Sequence, residues 1–346
     1  MRQTTRIGLT MGDPAGIGPE IVLRAYQTLA QSGQSDLVII GVKSILEAVA
    51  RTLHFNVDFV DGEKEFGSWP KVALIETPTH IRDVAVGEVS AEAGQLAYAA
   101  VEKATQLAMQ AKLDAIVTAP LSKDALNLAG HSYAGHTELL AHLTGCSGTV
   151  MMLAHGSLRV SHVSTHVSVS KVPVLVTPER IRHVINLTAD ALKAFGIQRP
   201  RIAVAALNPH AGEGGLFGTE DQEIILPTIE SIQDPTIEVT GPHPGDTVFV
   251  KGAAGQFDAI IAMYHDQGHI PIKLLGFRID PKSGVFTELG GINITLGLPI
   301  IRTSVDHGTA FDIARKSIAN PQSMIEAIEF ANKLTKGKHD LNSAPP

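Results

Sequence analysis

The sequence predicts an α/β protein with mostly parallel sheets in two lobes, on three observations. Short apolar runs alternate with helical stretches across short turns. At 346 residues the chain exceeds what one hydrophobic core usually serves. Several apolar runs end in Gly- or Pro-punctuated turns that carry His, Asp or Lys, and open α/β sheets bind ligands at such strand ends.

Taken in order, Arg6–Met11 reads as a first strand. It runs into the Gly-rich turn Gly12–Glu20 and a helix through Ala30, with Pro19 in the first turn. That turn can present N–H groups to a phosphate, but it has neither the G-x-G-x-x-G spacing nor the Lys of a P-loop. Leu37–Ile40 and Val72–Ile75 are short strands, with a helix over Lys43–Thr52 between them. Ser90 opens a long helix through Ala111, and Asp114–Thr118 is a buried strand. His136 and Thr137 follow the Gly135 turn at a helix start, where free N–H groups favour anions. Val150–Leu153 and Leu158–Val163 form a strand pair leading to His166. Thr177-Pro178-Glu179 opens a helix through Phe195, and Arg201–Leu207 is a strand that runs into the turn carrying His210. Residues 241–247 read as a loop containing Asp246. Asp258–Ala262 is a buried strand delivering His265, Asp266 and Lys273. Phe277–Gly291 reads as a loop, with Asn293 and Arg302 beyond it, and a last helix spans Gln322–Lys336.

The bulk numbers exclude some classes. A net charge of −7 disfavours a nucleic-acid or anionic-membrane surface. No run of about eighteen apolar residues and no signal segment appears, so no membrane role is expected. The single Cys146 fits a reducing cytoplasm. Of the 15 histidines, His166, His210 and His265 each sit just past an apolar strand. Three such imidazoles can converge on a divalent metal and leave positions for substrate. The same residues also fit ordinary polar strand-to-loop junctions.

The stretches Gly12–Glu20, Gly135–Glu138, Ser164–His166, Asn208–Glu213, Met263–Gly268 and Asn293–Thr309, together spanning roughly residues 5–335, resemble the 4-hydroxythreonine-4-phosphate dehydrogenase family. The resemblance implies the two-lobed fold of isocitrate and isopropylmalate dehydrogenases, without an ordinary Rossmann fingerprint. Residues 1–130 and 305–346 are expected in one lobe, and 131–304 in the other with the site and dimer interface. It implies a cytoplasmic homodimer using NAD or NADP and a divalent metal (Zn, Mg or Co), held by His166, His210 and His265 and completed across the interface. Substrate binding falls to His136, Thr137, Lys273, Asn293 and Arg302, and proton handling to Asp246, Asp266 and Lys273. Cofactor contacts are not assigned.

The implied chemistry is oxidation of a secondary alcohol β to a carboxylate, then loss of CO2, on a four-carbon acid 4-phosphate. A cationic cluster of Lys273, Arg302 and the Thr137 region suits the phosphate. The main expectation is the 4-hydroxythreonine 4-phosphate reaction of pyridoxal 5'-phosphate biosynthesis. The alternative is D-threonate or D-erythronate 4-phosphate, because Gly268-His269-Ile270-Pro271 looks more like that branch. A third branch, acting on aromatic dihydrodiols, is disfavoured by His136, Thr137 and Arg302. The rival of another class is a non-catalytic phosphometabolite-binding protein. His269 and the Phe277–Gly291 loop, with Asp280 and Glu288, are the features that can select among the acids.

Overall fold

The computed structural model describes residues 4–30, 35–282 and 286–343. Its strands in chain order are β1 (Thr5–Thr10), β2 (Ser35–Gly41), β3 (Asp58–Asp61), β4 (Lys71–Glu76), β5 (Ala115–Thr118), β6 (Val150–His155), β7 (Leu158–His162), β8 (Arg201–Ala205), β9 (Glu238–His243), β10 (Ala259–Ala262), β11 (Phe277–Ile279), β12 (Phe286–Leu289), β13 (Ile292–Leu296) and β14 (Ile301–Val305). The chain divides into two compact units, Met1–Thr149 with Leu298–Lys336, and Val150–Gly297 with the chain from Gly337 onward.

In the first unit the strand order is β3-β4-β2-β1-β5-β14. Every pair is parallel, with Ile7 opposite Leu37 and Ala115, and Arg302 opposite Ile116. β1 and β5 are buried along their whole length, as parallel strands covered on both faces must be. The helix Ala91–Met109 starts at Ser90, whose Oγ accepts from Ala93 N–H at 3.1 Å. Its Gly94 lies so close to the Ala125 carbonyl of the helix Lys123–Leu128 that no side chain fits there.

The expected boundary at residue 131 needs correction, because 131–149 and 298–304 belong to the first unit. Leu139 and Leu140 of the helix His136–Thr144 are fully buried beside Val38, Ile40 and Ile116. β14 is held by its ladder with β5.

The second unit has the order β13-β6-β7-β10-β8-β9. The pairs β13/β6 and β6/β7 are antiparallel, while β7/β10, β10/β8 and β8/β9 are parallel. In both units these strand pairs are thus mostly parallel. Val160, Ala203, Ile260 and Phe249 centre the core. Residues 241–247, expected as a loop, are the end of β9 and the start of the helix Gly245–Ala253. The expected loop Phe277–Gly291 contains the antiparallel hairpin β11/β12, although its residues 283–285 lie outside the described residues. The C-terminal helix also runs past Lys336 to Ser343. Gly337 makes that continuation possible, because its missing side chain lets the helix pack onto the Ala194 carbonyl.

Candidate active site

In the second unit, the buried strand β10 ends at Ala262, and Met263 and Tyr264 lead into the helix His265–Gly276. This corrects the expected strand-to-loop junction. Pro271 lies inside the helix, far enough from its start to leave the first turn intact. Gln267 fixes that first turn, its Oε1 accepting from Met263 N–H at 2.7 Å and its Nε2 donating to the Ala206 carbonyl at 2.7 Å. Beyond β7, Val163 N–H donates to the Ala262 carbonyl at 2.8 Å, and the Ser164 amide (3.2 Å) and hydroxyl (2.8 Å) both donate to the Met263 carbonyl. The two chain segments therefore leave the sheet side by side. His166 and His265 face each other with ring centroids 5.6 Å apart.

Two further histidines back this pair. His269 stacks on His265 at 3.6 Å and 11°, and its Nδ1 contacts the His265 carbonyl at 2.9 Å. His162 lies 4.8 Å behind His269. It is fully buried, with Nδ1 donating to the Met151 carbonyl at 3.1 Å. Burial, reinforced by the positive charge of a protonated His269, pushes His162 down to about 3. Its Nε2 has no hydrogen-bond partner among the described residues and lies against Gly268, where any Cβ would collide with it. The sequence reading missed His162, taking it as a strand residue; the signal was a polar ring closing an apolar run.

Asp266 accepts from His265 Nδ1–H at 2.7 Å, which favours the tautomer with the lone pair on Nε2. Asp246 lies in the first turn of the helix Gly245–Ala253. Asp246, Asp266 and His210 line one cavity of about 640 Å³, with Phe249, Ile270 and Leu274 as apolar wall. His210 sits on a run of left-handed backbone, with φ of 52° at His210, 56° at Ala211, 77° at Gly212, 43° at Glu213 and 69° at Gly214. Each non-glycine residue there costs about 1–2 kcal/mol, a strain that needs a local cause.

The structure therefore pairs His166 with His265, and places His210 with Asp246 and Asp266. It does not bring the three histidines into one ligand set. Among the described residues no group of three His, Cys, Asp or Glu side chains is placed to hold a metal. Lys273 is in the same helix as His265, its Nζ 4.6 Å over the Phe277 ring. Asn293 on β13 has a buried Oδ1 with no partner among the described residues.

In the first unit, Arg302 on β14 is 2 % exposed and donates through Nε (3.2 Å) and Nη2 (2.7 Å) to Thr118 Oγ1. Burial lowers it to about 9, opposed by the Glu138 carboxylate. His136 opens the helix His136–Thr144, and burial and the Arg302 charge hold its imidazole well below its usual range. Its Nε2 is buried without a partner among the described residues. Thr137 does not cap the helix, because Gly135 holds the cap position. A buried guanidinium beside a neutral imidazole and a helix start can receive an anion. Asp13 in the Gly12–Glu20 turn is fully buried; Oδ1 accepts from Ala15 N–H at 2.9 Å, and burial raises its carboxyl.

An α/β architecture with a histidine cluster at its strand ends and a buried guanidinium fits an enzyme, and its relatives are dehydrogenases. The chain belongs to the family described as pyridoxal phosphate biosynthetic protein PdxA, whose model matches residues 33–331. A Bradyrhizobium diazoefficiens protein, provisionally named a D-threonate 4-phosphate dehydrogenase, is 54% identical over 96% of this chain and 97% of its own length. The Salmonella typhimurium D-threonate 4-phosphate dehydrogenase is 45% identical, covering 96% of this chain and 99% of that protein. The crystal structure of a protein named 4-hydroxythreonine-4-phosphate dehydrogenase from Klebsiella pneumoniae matches with a TM-score of 0.81 at 43% identity, over 96% of this chain and 98% of that one.

Proposed function

We propose that this protein oxidises and decarboxylates a four-carbon 3-hydroxy acid 4-phosphate, with NAD or NADP as hydride acceptor. D-threonate 4-phosphate is the substrate favoured. The observation that carries the choice is the 54% identity to a relative bearing that name, supported by the 45% identity to a second one. The second reading, 4-hydroxythreonine 4-phosphate, rests on the family's biosynthetic description and on the name borne by the Klebsiella pneumoniae protein.

His166, His210 and His265 would hold a divalent metal (Zn, Mg or Co), and their imidazole donors suit such an ion. A bound divalent cation lowers the pKa of an alcohol that ligates it and steadies negative charge on oxygen. One chain pairs His166 with His265 but leaves His210 apart, so the set is completed by a second copy of the chain. Exposed Ile270 (64%), Leu274 (75%) and Val250 (71%) beside the cavity support a homodimer. Asp266 holds the His265 tautomer. Arg302, His136 and Thr137 are the proposed phosphate contacts of the first unit, and Lys273 and Asn293 the proposed substrate-binding residues of the second.

Asp246 takes the proton of the 3-hydroxyl as the C3 hydrogen leaves as hydride to the nicotinamide. The resulting 3-keto acid breaks its C1–C2 bond, releasing CO2, and Lys273 returns a proton to C2. The product is a three-carbon hydroxyketone phosphate. Among the described residues no helix is long and apolar enough to cross a membrane, and a cytoplasmic location is proposed from the single Cys146.

The test compares kcat/KM for D-threonate, D-erythronate and 4-hydroxythreonine 4-phosphates by NADH formation. D-threonate 4-phosphate is expected to lead. A preference of about ten-thousandfold for the amine, as sites that hydrogen-bond one polar group achieve, would reverse the choice. No turnover of any of the three would favour the non-catalytic binding rival.

A further inference from the structure

Fully buried Asp221 meets no cation among the described residues and belongs to none of the roles above. Both of its carboxylate oxygens are taken by backbone donors, Oδ1 accepting from Leu207 N–H at 2.8 Å and Oδ2 from Asn208 N–H at 3.0 Å. Those are consecutive amides just past β8, immediately before Pro209 and His210. The Asn208 side chain is fixed in turn, its Nδ2 donating to Glu220 Oε2 at 2.8 Å. From the other side, a Cβ on Gly212 would lie 2.8 Å from the Gly218 carbonyl and 3.6 Å from Asp221 Oδ2. The segment Gly218–Asp221 therefore grips the left-handed turn at its entry and at its middle.

We propose that Asp221 is a positioning residue for His210, its buried carboxylate clamping the strained turn so that the imidazole is held toward the metal site. The inference rests on the reading of His210 as a metal ligand. A left-handed run containing His210, Ala211 and Glu213 does not persist by its own propensity, so the surroundings must over-determine it. Asp221 supplies two hydrogen bonds at the point where the chain enters that conformation. Asparagine there keeps the size but loses one acceptor, and turns an amide N–H against a backbone N–H.

The experiment titrates the full-length, metal-stripped protein with Co²⁺ and measures the dissociation constant. The four proteins compared are wild type, His210→Ala, Asp221→Asn and Glu220→Gln. Outer partners of metal ligands change affinity by about ten- to a hundredfold, and Asp221→Asn is expected to weaken Co²⁺ binding by that factor. Its kcat at saturating Co²⁺ should return close to the wild-type value, because the imidazole itself is retained. A purely structural role would lower kcat at every Co²⁺ concentration and leave the dissociation constant alone, which would overturn the proposal. If Asp221→Asn fails to fold, Glu220→Gln carries the test, with a weakening of about two- to tenfold expected as the charge-assisted bond from Asn208 becomes a neutral one. Wild-type affinity in Glu220→Gln would then overturn the proposal. Should His210→Ala bind Co²⁺ as tightly as wild type, the ligand reading itself falls and the inference with it. Weak binding by His210→Ala beside wild-type binding by Asp221→Asn would remove the positioning role alone.

Discussion

His162 is a histidine held fully buried on a strand of the sheet. Its folded-state value near 3 lies below the ordinary 6.5, so between those values the unfolded chain holds the extra proton. Its contribution to stability is therefore level above about pH 6.5 and becomes increasingly unfavourable as the pH falls. By about pH 4 the loss should be on the order of 3 kcal/mol. Thermal melts should show wild type losing its midpoint on acidification more steeply than His162→Gln, which does not titrate. Equal slopes would mean that the buried ring is not held neutral. Gly268→Ala should destabilise by about 1–3 kcal/mol, because the added methyl meets His162 Nε2. At this scale the sequence revealed which histidines end apolar runs. It did not reveal which of them touch, since His166 and His265 are far apart in sequence and are brought together by the parallel pairing of β7 with β10 and the hydrogen bonds just beyond it.

Among elements, local signals were the readable ones. The helix Lys43–Thr52 and the cap residues Ser90 and Thr177 were legible because periodicity and capping are local. β3 was missed because its residues are exposed or half-exposed, leaving no apolar run to read. The helix His265–Gly276 was masked by Gly268 and Pro271, which read as turn punctuation but are accommodated within it. Arg302 on β14 makes an element-level prediction. Lysine keeps the charge but loses the forked donation to Thr118 and the anion, so Arg302→Lys should raise KM for the phosphorylated substrate about tenfold or more. An unchanged KM in steady-state assays would move phosphate binding away from this strand. Gly94→Ala, where two helices touch, should lower stability by about 1–3 kcal/mol in denaturant titrations without changing KM.

At the level of the whole molecule, the proposal that the ligand set is split between two copies has a consequence that mixing can detect. His210→Ala and His265→Ala should each be inactive alone. Unfolded together and refolded, they should form heterodimers in which one site carries both lesions and the other carries neither. Recovered activity should then reach about a quarter of the wild-type value, since half the dimers are mixed and half their sites intact. No recovery, with heterodimers confirmed by mass, would place all three ligands in one chain. That there are two units was legible from chain length and the family resemblance. The boundary was not, because Leu139 and Leu140 declare their unit only through the core they enter.

Gln267 carries a constraint on how this chain can vary. One side chain must accept a hydrogen bond from Met263 and give one to Ala206. Glutamate has the reach but no proton to give at neutral pH, and methionine has the reach but neither function. Asparagine has both functions but is one methylene short of the two strand ends it spans. This amide therefore tolerates no isostere, and it couples the segments bearing His210 and His265.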